Sequence, residues 1–451
     1  MMKVNDVYKG FVLKSIKKIE ECSSVAFHFV HEKSGLEVLH LLNDDDENLF
    51  SFNFRTPPSD STGAAHVTEH TVFCGSKKYP LKDPFIVLAK KSVNTFLNAM
   101  TSCDRTMYPA SSVVKKDYFN LMGVYADAVF FPLLKEEMFL QEGVRAELDE
   151  KNRVKISGVV YNEMKGVYSS FDSASYKFVN SSLLHNTIYG KDSGGNPCEI
   201  PYLDVKKVRA FHKKYYCTKN CLVFLCGNIP SEPQLDFLYE NIVKKVDSYG
   251  KKTVFTKRPA DFCIKKFSKG YAPCSEDFVP TGKDSSVNVN FLLPFNTDKE
   301  PERFLEKTVE AVFMEELLFG SDSSPCSKAL IESGLGSDTS SETGACVQNK
   351  FPYFSAGLSG ASEKDALKIK KVLLDSLKEV CVKGIGDDDF KRVLLEFEFA
   401  NREEVRFSGP YSMTWLYRAV RGWTYGADPS DSLLFNATFN KIKEKILSDK
   451  N

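Results

Sequence analysis

The sequence predicts an α+β protein of two similar domains, each an antiparallel sheet with helices packed on it. Three observations carry that expectation. Apolar and polar residues alternate in short runs near the N-terminus. Apolar residues spaced by three and four mark helices between the later runs. The same order of elements then recurs after a segment rich in Pro, Gly, Lys and Ser. At 451 residues the chain is too long for one ordinary core, so a division is expected on length as well.

Taken in order, SSVAFHFVHE, LEVLHLLN and LFSFNFRT alternate with a period of two, which predicts adjacent antiparallel strands with one face in water. Residues 64–74 and 83–97 show helical spacing on either side of the turn-forming GSKKYPLKDP. NTFLNAMTSCDRTMYPA is strand-like, residues 115–128 are helical, and further helices are predicted around VRAELDE and VVYNEMKGVYSS. After a looser stretch ending in GKDSGGNP, LDVKKVRAFHKKYY reads as a helix and CLVFLCGNI as a strand. These make a first domain over residues 1–260. Residues 261–283 read as a linker, and 284–451 as a second domain of similar fold. In that second domain SSVNVNFLLPF and FPYFSAGLSGA are strands, while FLEKTVEAVFMEELLFG, residues 363–382 and residues 387 to about 406 are helices. No histidine follows His212, so the second domain holds no histidine-based metal site.

Composition narrows the function by exclusion. Hydrophobic content of 42% with 12% aromatic residues supports large buried cores. Sixty basic and sixty acidic residues cancel, and the charge is locally mixed, which points away from nucleic acid and from an anionic membrane surface. No apolar run reaches the ~18 residues that span a bilayer, and the N-terminal MMKVNDVYKGFVLKSIKKIEE has neither a secretory h-region nor the character of a transit peptide. Twelve cysteines scattered through a long chain read as reduced thiols in a reducing compartment, either cytoplasm or an organelle matrix. Cys217, Cys221 and Cys226 lie near His212 in sequence. Two of them fall inside the apolar CLVFLCG, which reads as a buried strand rather than a second metal site.

The chemistry concentrates in STGAAHVTEHTVFCGS. His66 and His70 stand one helical turn apart, so both imidazoles share a face and can offer nitrogens to one metal ion. Glu69 lies on the same stretch and can take a proton from metal-bound water without being forced to ligate. The pattern His-x-x-Glu-His is the inverted zinc-peptidase motif. A third ligand from another helix is needed, and Glu163 in GVVYNEMKGVYSS is the choice. A thiol peptidase built on Cys74 or Cys103 near His70 is the weaker alternative, since no group is evident to orient the imidazole.

FRTPPSDSTGAAHVTEHTVFCGSKKYPLKDPF, NTFLNAMTSCDRTMYP, FLQEGVRAEL, GVVYNEMKG and the later SGGNPCEIPYL, FHKKYY, SPCSKALIESGLG and RAVRGWTYGADP resemble signature blocks of the pitrilysin/insulinase superfamily. The likeness is narrowest to its presequence-protease subfamily. It implies one Zn2+ per chain held by His66, His70 and Glu163, with Glu69 as general base of a metalloendopeptidase acting on short unfolded peptides. It also implies that substrate adds as a strand beside LNAMTS, where Asn98 and Ala99 occupy substrate-facing positions. The superfamily also includes non-catalytic scaffold or processing-complex subunits that lost the metal motif, an alternative that the intact motif opposes.

Two departures stand out. Some relatives carry a further glutamate seven residues before the ligating one, where this chain has Ile156, so a carboxylate supporting the ligands is expected from elsewhere, with Asp104 as candidate. Presequence-type proteases also resemble two such halves, the second supplying an Arg and a Tyr near the metal. The chain looks like the first half, and a C-terminal half or a second similar subunit is the partner implied, besides peptide substrates.

Overall fold

The computed structural model describes residues 2–82, 84–255, 269–270, 284–293, 295, 300–402 and 409–448. The chain forms two compact units: Met1–Met164 with Thr187–Thr256 and Arg406–Leu434, and Lys165–Asn186 with Lys257–Val405 and Phe435–Asn451. The units interleave along the chain, whereas the sequence reading drew consecutive domains at 1–260 and 284–451. The expected linker 261–283 lies outside the described residues apart from 269–270.

In the first unit, strands β1 (Val7–Tyr8), β2 (Phe11–Ile19), β3 (Ser24–His31), β4 (Glu37–Leu42) and β5 (Asn48–Arg55) precede helices α1 (Ala64–Val72) and α2 (Pro84–Lys91). Then come β6 (Asn94–Leu97), β7 (Met100–Thr101), β8 (Arg105–Ser112), α3 (Lys115–Phe130), α4 (Glu136–Glu142), β9 (Arg145–Leu148), β10 (Val154–Ser157) and α5 (Val159–Val167). Helix α6 (Phe171–Leu183) falls in the second unit, after which the first resumes with α7 (Val205–Tyr215), β11 (Cys221–Gly227) and α8 (Ser231–Leu238). Nine strands form one sheet in the order β1-β2-β3-β4-β11-β5-β8-β6, with β7 also on β8. Its neighbours are antiparallel except β4 and β11, which run parallel.

The second unit holds a four-stranded antiparallel sheet of β12 (Ser286–Leu292), β13 (Asp338–Thr339), β14 (Gly344–Cys346) and β15 (Tyr353–Ser359). Helices α9 (Phe304–Phe319), α10 (Pro325–Glu332), α11 (Ala366–Lys383) and α12 (Asp387–Arg402) accompany it. Leu330 and Ile369 pack with Ala356 and Leu358 of β15 in one core. Phe313, Phe397 and Phe439 join α9, α12 and the last helix in another. The chain returns to the first unit as α13 (Ser412–Thr424) and ends as α14 (Phe435–Ser448).

Two local expectations are corrected. VRAELDE is not a helix but the first strand of a hairpin, β9 pairing with β10. Arg145 and Glu147, two apart and therefore on one face of a strand, pair at 2.9 Å. Asp149 closes the turn by accepting from the N–H groups of Lys151 (2.8 Å) and Arg153 (2.9 Å). The helix predicted over 83–97 stops at Lys91, because Asn94 turns back to Ser92 and the chain joins the edge of the sheet beside β8.

The face of the sheet expected to be wet is dry. Along β5, Phe50, Phe52 and Phe54 meet α3, with Phe50 5.4 Å from the rings of Tyr118 and Tyr125. The alternate residues Ser51, Asn53 and Arg55 are buried as well. Helix α13 lies over them, and its Trp415, Leu416 and Trp423 cluster with Leu49 and Leu222. Arg55 stacks 3.4 Å from the Trp423 ring and donates from Nε to the Thr424 carbonyl at 3.2 Å and from Nη2 to the Trp423 carbonyl, while its buried Nη1 has no hydrogen-bond partner. Truncating either tryptophan to alanine would cost about 3–5 kcal/mol.

Candidate metal centre

Helix α1 starts at Gly63, whose φ of 75° lets the chain turn sharply into the helix. Its Val67 and Val72 are fully buried in the core, which leaves His66, Glu69 and His70 on another face. The two imidazoles stand 5.0 Å apart, centroid to centroid, at an interplanar angle of 78°. Each is held from behind. His66 donates from Nδ1 to the Gly194 carbonyl at 3.1 Å, and His70 from Nδ1 to Glu142 Oε2 at 3.2 Å. Both Nε2 atoms are thereby left as acceptors on the same side.

Glu163, on α5, completes the group. Its Oε2 lies 3.7 Å from His66 Nε2 and 3.8 Å from His70 Nε2. One ligand atom from each of the three residues falls within 4.8 Å of the others, and among the described residues no other His, Cys, Asp or Glu cluster does this. Ligand bonds of ~2.1 Å in a tetrahedron put neighbouring donor atoms about 3.4 Å apart. The observed separations are close to that edge, and two nitrogens with one carboxylate oxygen are a donor set suited to a catalytic zinc. The Glu163 side chain remains 49% exposed, so the donor group is reachable from solvent.

Glu69 is buried but not a member of the donor group. Burial raises it above the ordinary carboxylate range, and the Thr101 hydroxyl and the two histidines pull it back without cancelling that rise. Thr101 donates to Oε2 at 2.5 Å, leaving Oε1 as the free oxygen. Burial alone would lower His70, but Glu142, Glu69 and Glu163 together raise it. Glu142 is lowered: burial opposes that, and the hydrogen bonds from His70 and Gln141 prevail.

The supporting carboxylate is therefore Glu142, not Asp104. Asp104 is buried elsewhere and accepts from the hydroxyls of Tyr189 and Tyr425, each at 2.8 Å, and from Arg105 at 2.9 Å. Sequence reasoning passed over Glu142, Thr101 and Gly194. All three stood in quoted blocks, FLQEGVRAEL, LNAMTS and SGGNP, but no spacing rule ties them to α1. Asn98 and Ala99 sit in the break between β6 and β7 at the sheet edge. The Asn98 N–H donates to the Pro109 carbonyl at 3.2 Å, its own carbonyl accepts from Tyr125 at 3.3 Å, and its side chain is exposed. Among the described residues no strand pairs with β6 or β7 on the side away from β8.

The competing thiol readings find no support in the geometry. Cys221 and Cys226 are buried in β11, and His212 donates from Nε2 to the Val129 carbonyl at 2.8 Å. Cys74 donates from its thiol to the His70 backbone carbonyl at 3.6 Å.

Set beside known proteins, the chain belongs to the insulinase (M16) peptidase family, whose members include pitrilysin. The family described as "Insulinase (Peptidase family M16)" matches residues 55–164, and "Peptidase M16 inactive domain" matches 202–396. The chain is 36% identical to "Protein HypA" of Clostridium perfringens, over 99% of its own length and 45% of that protein. It is 35% identical to "Presequence protease 1, chloroplastic/mitochondrial" of Arabidopsis thaliana, over 98% of its length and 40% of the relative. Against the mitochondrial presequence protease of Mus musculus the figures are 35%, 98% and 42%. The chain thus spans less than half the length of these relatives. Among solved structures, pitrilysin superposes with a TM-score of 0.62 at 19% identity, covering 95% of this chain and 45% of that one. A protease from Helicobacter pylori gives 0.57 at 16%, covering 90% and 94%. No helix among the described residues is long and apolar enough to cross a membrane.

Proposed function

We propose that the chain is a zinc metalloendopeptidase, or the metal-bearing half of one, that hydrolyses peptide bonds of short unfolded peptides. The observation that carries this reading is the convergence of His66 Nε2, His70 Nε2 and Glu163 Oε2 beside a buried Glu69 whose carboxylate is held by Thr101. His66, His70 and Glu163 would hold one Zn2+. When bound, the ion would lower the pKa of water toward ~7 and polarise the scissile carbonyl. Glu69 acts as general base. With Oε2 fixed by Thr101, Oε1 takes the proton, and burial keeps that carboxylate basic enough to accept it. It then returns the proton to the leaving amine.

The peptide is held in extended form on the free edge of β6 and β7. Asn98 and Ala99 face it there, and main-chain hydrogen bonds supply affinity without demanding a sequence. Thr101, two residues beyond Ala99, links that edge to the base. The partner that closes the site is a C-terminal half or a second similar subunit. The short span relative to the presequence proteases favours the first, and the near-complete coverage of the Helicobacter pylori chain makes the second workable. The compartment is a reducing one, cytoplasm or an organelle matrix, in keeping with ten described cysteines that form no disulfide.

The test is cleavage of an unstructured fluorogenic peptide by the chain alone, by the chain with a supplied C-terminal half, and by Glu69→Gln in both settings. Chelator-sensitive cleavage that disappears in Glu69→Gln is expected. Cleavage that persists in that variant removes Glu69 as base, and full activity of the chain alone removes the need for a second half.

A further inference from the structure

Glycines separate the two helices that carry the metal ligands. Gly194 lies between them. A Cβ on Gly194 would fall 3.1 Å from Cε and 3.2 Å from Sδ of Met164, the residue after Glu163 on α5. On the other side, a Cβ on Gly63, which opens α1, would fall 2.9 Å from the Gly194 carbonyl oxygen and 3.0 Å from Gly195 Cα. The SGGNP loop is tied to that same turn, with the Asn196 N–H donating to the Ser61 carbonyl at 2.8 Å and the Asp192 N–H to Ser61 Oγ at 3.1 Å. It is also the Gly194 carbonyl that orients His66.

A second glycine pair sits at the opposite corner. Gly158 immediately precedes α5, and a Cβ on it would collide with the Gly143 carbonyl. Gly143 follows Glu142, and a Cβ there would fall 3.0 Å from Val67 Cγ1 of α1. The Glu142–Gly143 turn is thereby fitted between α1 and the start of α5, just as the SGGNP loop is fitted between α1 and Met164.

We propose that Gly194 and Gly158 are positioning residues: by leaving out a side chain they set the thickness of the two segments between α1 and α5, and so the separation of the histidine nitrogens from the Glu163 carboxylate. The proposal rests on the metal reading above. Metal–ligand distances tolerate deviations of only about 0.2 Å. A methyl group inserted beside Met164 must move its neighbours by an amount of that order. The ligand set registers the change even where ordinary packing absorbs it.

The experiment compares wild type with Gly194→Val, Met164→Ala and the double variant. Zinc affinity is measured by competition with a chromophoric chelator, cobalt substitution is followed by its visible absorption, and thermal unfolding is recorded on metal-free protein. Gly194→Val is expected to bind zinc at least about tenfold more weakly and to give a weakened cobalt band. Metal-free unfolding should change little, and Met164→Ala should restore most of the lost affinity by making room. Equal affinity in Gly194→Val and wild type overturns the proposal, as does a loss that Met164→Ala fails to recover. If Gly194→Val does not fold, Gly194→Ala, whose methyl meets first the flexible Met164 thioether and then Asp192, serves in the same cycle with the same criteria. Wild type that binds no zinc overturns the metal reading itself, and this inference with it.

Discussion

Two histidine–carboxylate groupings lie in the first unit, and they differ in what the imidazole nitrogens do. At the candidate metal centre each histidine spends Nδ1 on a partner behind it and turns Nε2 toward a common point faced by Glu163. In the other grouping His28, on β3, lies between two carboxylates, with Nε2 3.4 Å from Glu37 and Nδ1 3.6 Å from Asp428. Those acids are themselves paired, Glu37 with Lys252 at 3.3 Å and Asp428 with Lys17 at 3.6 Å. The first arrangement presents free electron pairs to an open direction. The second sets each nitrogen against a different carboxylate, and its groups do not converge on one point as a ligand set does. Residue types alone do not separate a ligand set from a structural ion network; the direction of the second nitrogen does.

The sharpest way to break this comparison is to remove one imidazole from each grouping. His66→Ala and His70→Ala are expected to lower bound metal from about one zinc per chain to none at micromolar protein, by elemental analysis after dialysis. His28→Ala should retain the ion. Retention in His66→Ala, or loss in His28→Ala, would show that the two groupings have been assigned the wrong way round.

Next in size is the base. Glu69→Gln should keep zinc stoichiometry while peptide cleavage, measured with the partner half present, falls by about 10²–10⁴. A variant that loses zinc and activity together would make Glu69 a ligand or a fold determinant instead. Smaller again is the support behind His70. Glu142→Gln should weaken zinc affinity about 10–100-fold, and Asp104→Asn should leave the metal site's affinity unchanged, since Asp104 serves Tyr189, Tyr425 and Arg105.

That last contrast also marks where the sequence was readable. His66, Glu69 and His70 lie on one helical turn, so local spacing reveals them. Glu163 is legible only as an acidic residue on another predicted helix, and the likeness to the NEMKG block adds support to that choice. Glu142 and Gly194 touch the histidines across 72 and 128 residues, and no periodicity encodes such a contact. The same limit explains the strands. The FSFNFR alternation of β5 correctly puts the phenylalanines on one face, yet its polar face is covered by α13, which reaches Arg55 from more than 360 residues downstream. A buried arginine with all its stacking and carbonyl partners supplied from afar looks, in one dimension, like a solvated one. VRAELDE failed for a local reason: good helix formers were overridden by an Asp149-centred turn that the strands on both sides satisfy.

The smallest expected effect tests whether the His28 grouping is the ion network that the comparison makes it. Burial alone would lower His28, but Asp428 and Glu37 raise it from its ordinary 6.5 to about 9. Glu37 is lowered from 4.5 to about 2; burial opposes this, and His28 and Lys252 prevail. A raised histidine stabilises the fold fully below its unfolded value and loses that contribution as pH rises through the folded one. A lowered carboxylate contributes fully above its unfolded value and loses it as pH falls through the folded one. The network should therefore contribute most between about pH 4.5 and 6.5, weaken toward pH 9 as His28 loses its proton, and weaken again toward pH 2. The ceiling is about 3 kcal/mol on the alkaline side. The measurement is the difference in denaturation midpoint between wild type and His28→Gln at pH 6 and at pH 9.5, which cancels the contributions of the other histidines. The gap should shrink markedly at the higher pH. A gap that stays constant means that His28 is held by packing rather than by its charge, and the distinction between the two groupings would then rest on metal binding alone.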